Sequence, residues 1–478
     1  MSILGHLEPK KVFGFFEEMC AIPHGSHNNT AISNYLAQFA ARRGLEYDQD
    51  AAENVIIIKP ATPGYEDAEP VILQGHMDMV CEKTPECGKD MVVEGLDLAV
   101  EGDFVFARGT TLGGDDGIAV AMALAILDSD DIAHPRLEVV ITTDEETGMG
   151  GAAALDTSRL QGKKMLNIDS EAEGVFTVNC AGGAVAKVEL PVKRDNFSGV
   201  AATVIVGGLA GGHSGAEIHK GRGNADMLLG RVLCEAAERT QLRIVSVTGG
   251  EKDNAIPSLA KAVVRVADLA VLHSVCADLE RVLHAEYAVT DPGVSIAVSE
   301  EGEGAPMDEA STQRVICLLT CAPNGVQVMS PDMEGLVQTS LNLGILYTQD
   351  RCVAASFCIR SSVDSQKRML IQRLDCLAHQ LGGVCHVSGV YPGWAYRNDS
   401  PLRELMQSVF TDLYGAAPQI EAIHAGLECG LFAGKIPGLD CVSFGPDLLD
   451  IHTPRERMSI SSVQRTWRFL LELLRRMK

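Results

Sequence analysis

Short apolar runs of strand length alternate with helix-length segments through the first third of this chain, and most of the runs end directly in a polar cluster. The runs are residues 55–58 (VIII), 71–73 (VIL), 137–141 (LEVVI) and 165–168 (MLNI). Their nearly unbroken hydrophobicity marks strands buried on both faces. Between them lies GIAVAMALAIL (117–127), a helix candidate that is apolar all round and therefore belongs inside a layered domain. Upstream, Ile32, Tyr35, Leu36, Phe39 and Ala40 recur at helical spacing, and the pattern stops at Gly44 as a left-handed C-cap would. Residues 1–45 thus read as two helices, and residues 461–477, rich in Leu and Arg, as another. Strands alternating with helices imply an α/β layer architecture around a mostly parallel sheet.

The texture changes between about residues 184 and 389. Alternating strands at 186–190, 202–206 and 262–266 are interleaved with helices at 224–238 and 273–286. A comparable set follows, with helices at 312–320 and 364–381 and strands at 326–329, 337–346 and 352–359. A chain of 478 residues exceeds one ordinary core. The expected organisation is a three-layer α/β domain in two parts, residues 1–184 and 390–478, interrupted by an inserted α+β domain of two similar halves, residues 185–389.

Composition excludes several classes of function. The net charge of −24 argues against a nucleic-acid partner, which needs a basic surface. No run approaches the roughly 18 apolar residues of a membrane span, and the N-terminus lacks a secretory pattern. The 14 cysteines are scattered without a C-x-x-C pair, as expected of reduced thiols in a cytoplasmic protein.

Five polar clusters carry the chemistry. Gln74-Gly-His76-Met-Asp78 follows one apolar run; His76 and Asp78, two apart, project to the same side of an extended segment. Thr111-Leu-Gly-Gly-Asp115-Asp116-Gly117 precedes the apolar helix, where glycines make a turn and an Asp is suited to capping. Asp144-Glu145-Glu146 and Asn167-Ile-Asp169 close two further runs, and His452 lies beyond residues 441–444. In an open α/β sheet, sites gather outside the carboxyl ends of strands. Each cluster has an ordinary explanation as a turn or solvated loop. Jointly, imidazoles and carboxylates at successive strand ends suit a pair of zinc ions sharing a carboxylate, with one of two adjacent glutamates free to move protons.

These clusters resemble those of the dizinc exopeptidases, the family of aminoacylase, glutamate carboxypeptidase, peptidase T and the carnosinase-type dipeptidases. The likeness covers essentially the whole chain. It is strongest toward the bacterial aminoacyl-histidine dipeptidase group, through ARGTTLGGDDGI (107–118), CAGG (180–183), GGHSGAEIHKGRGNA (211–225), NAIP (254–257), YPGW (391–394) and IHAGLECGLF (423–432). The resemblance implies that Asp115 bridges two Zn²⁺ ions, for which Co²⁺ or Mn²⁺ can substitute in related sites. His76 and Asp169 complete one site, Glu146 and His452 the other. Asp78 orients His76, and Glu145 is the general base. The two-part domain becomes catalytic and the inserted domain a lid. In the lid, His213 stabilises the oxyanion, Arg360 clamps the substrate's terminal carboxylate, and Asn254 adds a hydrogen bond to it. Two motifs depart from the group's common pattern while keeping the ligands: Gly-Gly-Asp-Asp-Gly for Gly-Ala-Asp-Asn-Gly, and Thr-Pro-Arg-Glu for Ser-Pro-Asp-Glu.

The implied activity is metal-dependent hydrolysis of dipeptides, preferentially Xaa-His, in the cytoplasm. The alternative is a general di- or tripeptidase, or an N-acyl amino acid deacylase, on the same centre. A small peptide is the expected partner, relatives suggest a homodimer, and His424 and Glu428 receive no role from spacing alone.

Overall fold

The computed structural model describes residues 2–478. The chain divides into two compact units: Met1–Asn179 with Tyr396–Ala422 and Leu427–Lys478, and Cys180–Ala395 with Ile423–Gly426.

In the first unit an eight-stranded sheet runs Glu46–Gln49, Val55–Lys59, Leu137–Thr142, Val71–His76, Lys164–Asn167, Asp440–Ser443, Val175–Cys180, Gln419–Ile423. Its four central strands, from Leu137–Thr142 to Asp440–Ser443, are parallel, and antiparallel pairings flank them. The apolar helix is Gly114–Leu127, buried at every position from Asp116 onward, and it packs on Val71–His76 and on helix Lys10–Cys20. That approach is close enough to demand glycine at position 75. A Cβ there would stand 3.0 Å from Ala119 Cβ and collide with the Asp116 carboxylate. A four-stranded sheet joins Leu98–Glu101 and Phe104–Ala107 to Arg457–Ser459 and Leu448–Leu449. The last two strands form a hairpin whose connecting segment carries His452.

The second unit is built on a nine-stranded sheet, antiparallel in every described pairing. The two sets of elements read from the sequence merge here into one sheet. Leu242–Gly249 pairs with Val337–Thr348, and Gly182–Pro191 pairs with Cys352–Ser361. Helix Ala225–Arg239 buries Leu228, Leu229, Val232, Leu233 and Ala236 in the unit's core together with Val204, Ile244 and Val264. Its N-cap is Asn224, whose side chain accepts the backbone N–H groups of Asp226 and Met227. Among the described residues no helix is long and apolar enough to cross a membrane, and no cysteine is joined in a disulfide.

Candidate metal centre

Parallel strands deliver the first unit's polar side chains to one place. His76 ends Val71–His76, Glu145 and Glu146 follow Leu137–Thr142, and Asp169 follows Lys164–Asn167. Asp115 comes from the turn that opens the apolar helix. The capping expectation for this turn does not hold: the N-cap is Gly113 in the left-handed region, with no side-chain cap, and Asp115 and Asp116 have non-helical φ/ψ. Glycine is required at 113 by its φ of 67°, and the carboxylate of Asp115 is directed to the histidines instead.

Asp115 lies between the two histidines. Its Oδ1 is 3.1 Å from His76 Nε2 and its Oδ2 is 3.2 Å from His452 Nε2. Asp169 Oδ1 approaches His76 Nε2 at 3.5 Å, and Glu146 Oε2 approaches His452 Nε2 at 2.9 Å. Two histidine–carboxylate groups therefore share one aspartate. Among the described residues, His76 groups tightly enough to hold a cation with Asp115 and Glu146, and also with Asp116 and Asp169. Asp116 was not singled out by sequence. Its Oδ2 accepts the backbone N–H of His76 at 3.2 Å, and no signal beyond its place next to Asp115 distinguishes it.

Electrostatics favour positive charge in this pocket. The side chains of His76, Asp169 and Glu146 are 1%, 7% and 6% exposed. Burial raises Glu146 and Asp169 above the ordinary carboxylate range and pushes Glu145 up to about 9. Hydrogen bonds to the Asp115 and Glu146 carboxylates raise His452 to about 10. More carboxylates than imidazoles in a desolvated pocket must be neutralised, by protons or by cations. The donor set, imidazole nitrogens and carboxylate oxygens around one shared aspartate, fits two divalent ions.

Asp78 stands beside His76 and also reaches the glutamate loop. Its carboxylate is 3.6 Å from His76 Nδ1, while its own backbone carbonyl stands 3.0 Å from that nitrogen. The carboxylate also accepts the backbone N–H of Glu145 at 3.0 Å and of Glu146 at 3.4 Å, plus the Ser26 hydroxyl at 2.8 Å. It thereby fixes the loop holding both glutamates. Of the three acids in that loop, Asp144 turns away and accepts from His27 N and Asn29 Nδ2. Asp144 and His452 both adopt positive φ, 53° and 59°, a conformation that costs energy for residues other than glycine and clusters at functional sites.

A further residue escaped the sequence reading. Glu456, 3% exposed, accepts the backbone N–H groups of Leu112, Gly113 and Gly114 at 2.8, 3.1 and 2.8 Å. It pins the turn that presents Asp115. The only sequence signal was an acid four residues after His452.

The second unit gathers its own cluster. His213 Nδ1 accepts the backbone N–H groups of Gly215 and Ala216 at 3.3 and 3.0 Å. Burial and then the Arg360 charge lower its pKa, so the ring is neutral with its proton on Nε2, leaving one N–H to donate. Arg360 is 8% exposed, and its Nε has no hydrogen-bond partner among the described residues. A Cβ at Gly215 would lie 2.9 Å from His213 Cε1 and 3.1 Å from Arg360 Nε, so these side chains close on that glycine. Asn254 is exposed, and its backbone carbonyl accepts Ser214 N at 2.8 Å. Asn342 anchors the same loop by donating to Ala255 O at 2.8 Å. His424 also belongs here, 2.7 Å from Ser340 Oγ, and burial followed by the Arg360 charge lowers it to about 3. Glu428, four residues on, belongs to the first unit.

The description of peptidase family M20/M25/M40 matches residues 72–476. Over 480 aligned residues, covering 99% of both chains, the sequence is 38% identical to the cytosol non-specific dipeptidase of Escherichia coli K12. The chain belongs to peptidase family M20/M25/M40. Among solved structures it is similar to the aminoacylhistidine dipeptidase from Vibrio alginolyticus, with 38% identity and a TM-score of 0.93 over 99% of this chain and 97% of that one. A tripeptidase from Staphylococcus aureus, 17% identical, shares the fold with a TM-score of 0.56 over 98% of this chain and 99% of that one. The family and the α/β fold class expected from the motifs are thereby established.

Proposed function

We propose that this chain hydrolyses dipeptides at a pair of divalent cations, with Xaa-His dipeptides preferred. The reading is supported by membership of a peptidase family and by full-length likeness to two proteins named as dipeptidases. The single observation that carries the metal assignment is Asp115, whose two oxygens face two different histidines.

In this reading His76, Asp115 and Asp169 hold one cation, while His452, Asp115 and Glu146 hold the other. Zinc suits these donors, and Co²⁺ or Mn²⁺ is accepted by the same atoms. When bound, the cations supply Lewis acidity that eases ionisation of water and polarises the scissile carbonyl. Glu145 removes the proton from the attacking water and returns it to the leaving amine. Asp78 keeps Glu145 and Glu146 in register through their backbone N–H groups. His213 donates from Nε2 to the developing oxyanion. Arg360 takes the terminal carboxylate with its guanidinium fork, and Asn254 adds a hydrogen bond to it. The protein acts in the cytoplasm, in keeping with the name of its E. coli relative; a homodimer is the assembly that the family resemblance suggests.

The test is a substrate panel on the purified, metal-loaded protein: β-alanyl-histidine and other Xaa-His dipeptides, unrelated dipeptides, tripeptides and N-acyl amino acids. Dipeptides should be cleaved and Xaa-His members favoured. No turnover of any Xaa-His dipeptide, beside good turnover of tripeptides or N-acyl amino acids, would reverse the assignment.

A further inference from the structure

Beneath the metal-ligating strand ends lies a closed group of buried polar side chains that the mechanism does not use. Its centre is Glu428, the first residue of helix Glu428–Lys435, which is 0% exposed. Glu428 Oε2 accepts from Gln74 Nε2 at 2.5 Å and from Thr142 Oγ1 at 2.6 Å. Gln74 Oε1 in turn accepts from Asn167 Nδ2 at 2.6 Å, and the Asn167 side chain also hydrogen-bonds Asp169.

The positions of the three partners matter. Gln74 stands two residues before His76, Asn167 two before Asp169, and Thr142 immediately before the segment leading to Glu145 and Glu146. They lie on three adjacent parallel strands, where Gln74 is level with Asn167 and His76 with Thr142. One carboxylate oxygen therefore ties together the ends of all three strands that deliver ligands from this side. Backbone pairing alone fixes the strands' register but not the direction of the side chains at their ends. A buried acceptor shared by two strands, and relayed to the third, removes that freedom.

We propose that Glu428 is a positioning residue for the metal centre, holding His76, Glu146 and Asp169 in place through the Gln74–Asn167 relay and Thr142. It touches neither substrate nor, in this reading, a cation; it acts by hydrogen-bond acceptance at Oε2. The second oxygen, Oε1, has no hydrogen-bond partner among the described residues. A glutamine can therefore keep its amide oxygen at the Oε2 position and both bonds with it, whereas a leucine cannot. Outer partners of this kind typically change metal affinity by about 10–100-fold.

The proposal rests on the dimetal reading, so the experiment begins with the unaltered protein. Zn²⁺ affinity is measured by competition with a chromophoric chelator on metal-stripped full-length protein, alongside metal-free thermal unfolding. If the unaltered protein binds no Zn²⁺, the dimetal reading fails and this inference falls with it. If it binds, Glu428→Leu should weaken Zn²⁺ about 10–100-fold, whereas Glu428→Gln should stay within about threefold. Unchanged affinity in a folded Glu428→Leu protein would overturn the proposal while leaving the dimetal reading intact. So would equal weakening in both variants, which would assign the effect to charge. Should Glu428→Leu not fold, Gln74→Met cuts the same relay without touching Glu428. It should weaken Zn²⁺ to a similar degree, and unchanged affinity there would also refute the relay.

Discussion

At the scale of single residues, chemistry and stability depend on carboxyl groups kept out of water. Glu145 is the one acid of its loop that makes no hydrogen bond to His452 or His27, and it is the group assigned to proton transfer. Glu145→Gln should lower turnover by roughly 10²–10⁴-fold while leaving bound metal unchanged, as read by kcat and metal analysis on one preparation. Unaltered turnover in a metal-loaded Glu145→Gln protein would remove it from the mechanism. Asp226, in the second unit, shows what burial does without a partner. It is 0% exposed, neither carboxylate oxygen has a hydrogen-bond partner among the described residues, and burial pushes its pKa up to about 8. The folded state therefore keeps this proton to higher pH than the unfolded chain, whose Asp titrates near 3.9. The pH-dependent penalty is absent below that value, and stability drains away as pH rises toward 8. Asp226→Asn should match the unaltered protein near pH 4 and exceed it by about 1–3 kcal/mol at pH 8–9 in urea denaturation. A difference that does not change with pH would contradict the assignment.

At the scale of elements, the chain advertises some features and conceals others. Buried parallel strands were legible because both faces are covered, leaving apolar runs such as VIL at 71–73 and LEVVI at 137–141. The candidate ligands were legible because the apolar runs open into polar clusters. The hold of Asp78 on the Glu145–Glu146 loop, and the parts played by Glu456 and Glu428, were not, because the partners lie far away in sequence and meet only once the strands are aligned. Asp78 meets the loop after a neighbouring strand, and Glu456 folds back on a turn more than 300 residues earlier. The boundary between His424 and Glu428 was equally hidden: two residues four apart in one segment belong to two compact units. Glu456 offers the clearest element-scale test. Its removal leaves three backbone N–H groups at Leu112–Gly114 without their acceptor, so Glu456→Ala should cost on the order of 3 kcal/mol, seen as a lowered denaturation midpoint. An unchanged midpoint would mean that water or a neighbour satisfies the turn equally well.

For the whole molecule, fold and chemistry are joined by one topological fact. Three parallel strands, a helix-opening turn and a hairpin, drawn from both ends of the chain, meet at one shared aspartate, and no single segment carries enough ligands to bind a cation pair alone. This is why the second part of the first unit must return after the inserted residues: it contributes His452, Glu456 and Glu428. The direct measurement is titration of chelator-stripped protein with Zn²⁺, with binding stoichiometry and hydrolysis of an Xaa-His dipeptide followed on the same samples. Two ions bound per chain, with activity absent before addition and rising as the sites fill, is the predicted result. Full hydrolysis by the stripped protein, or no more than adventitious Zn²⁺ binding, would contradict the account.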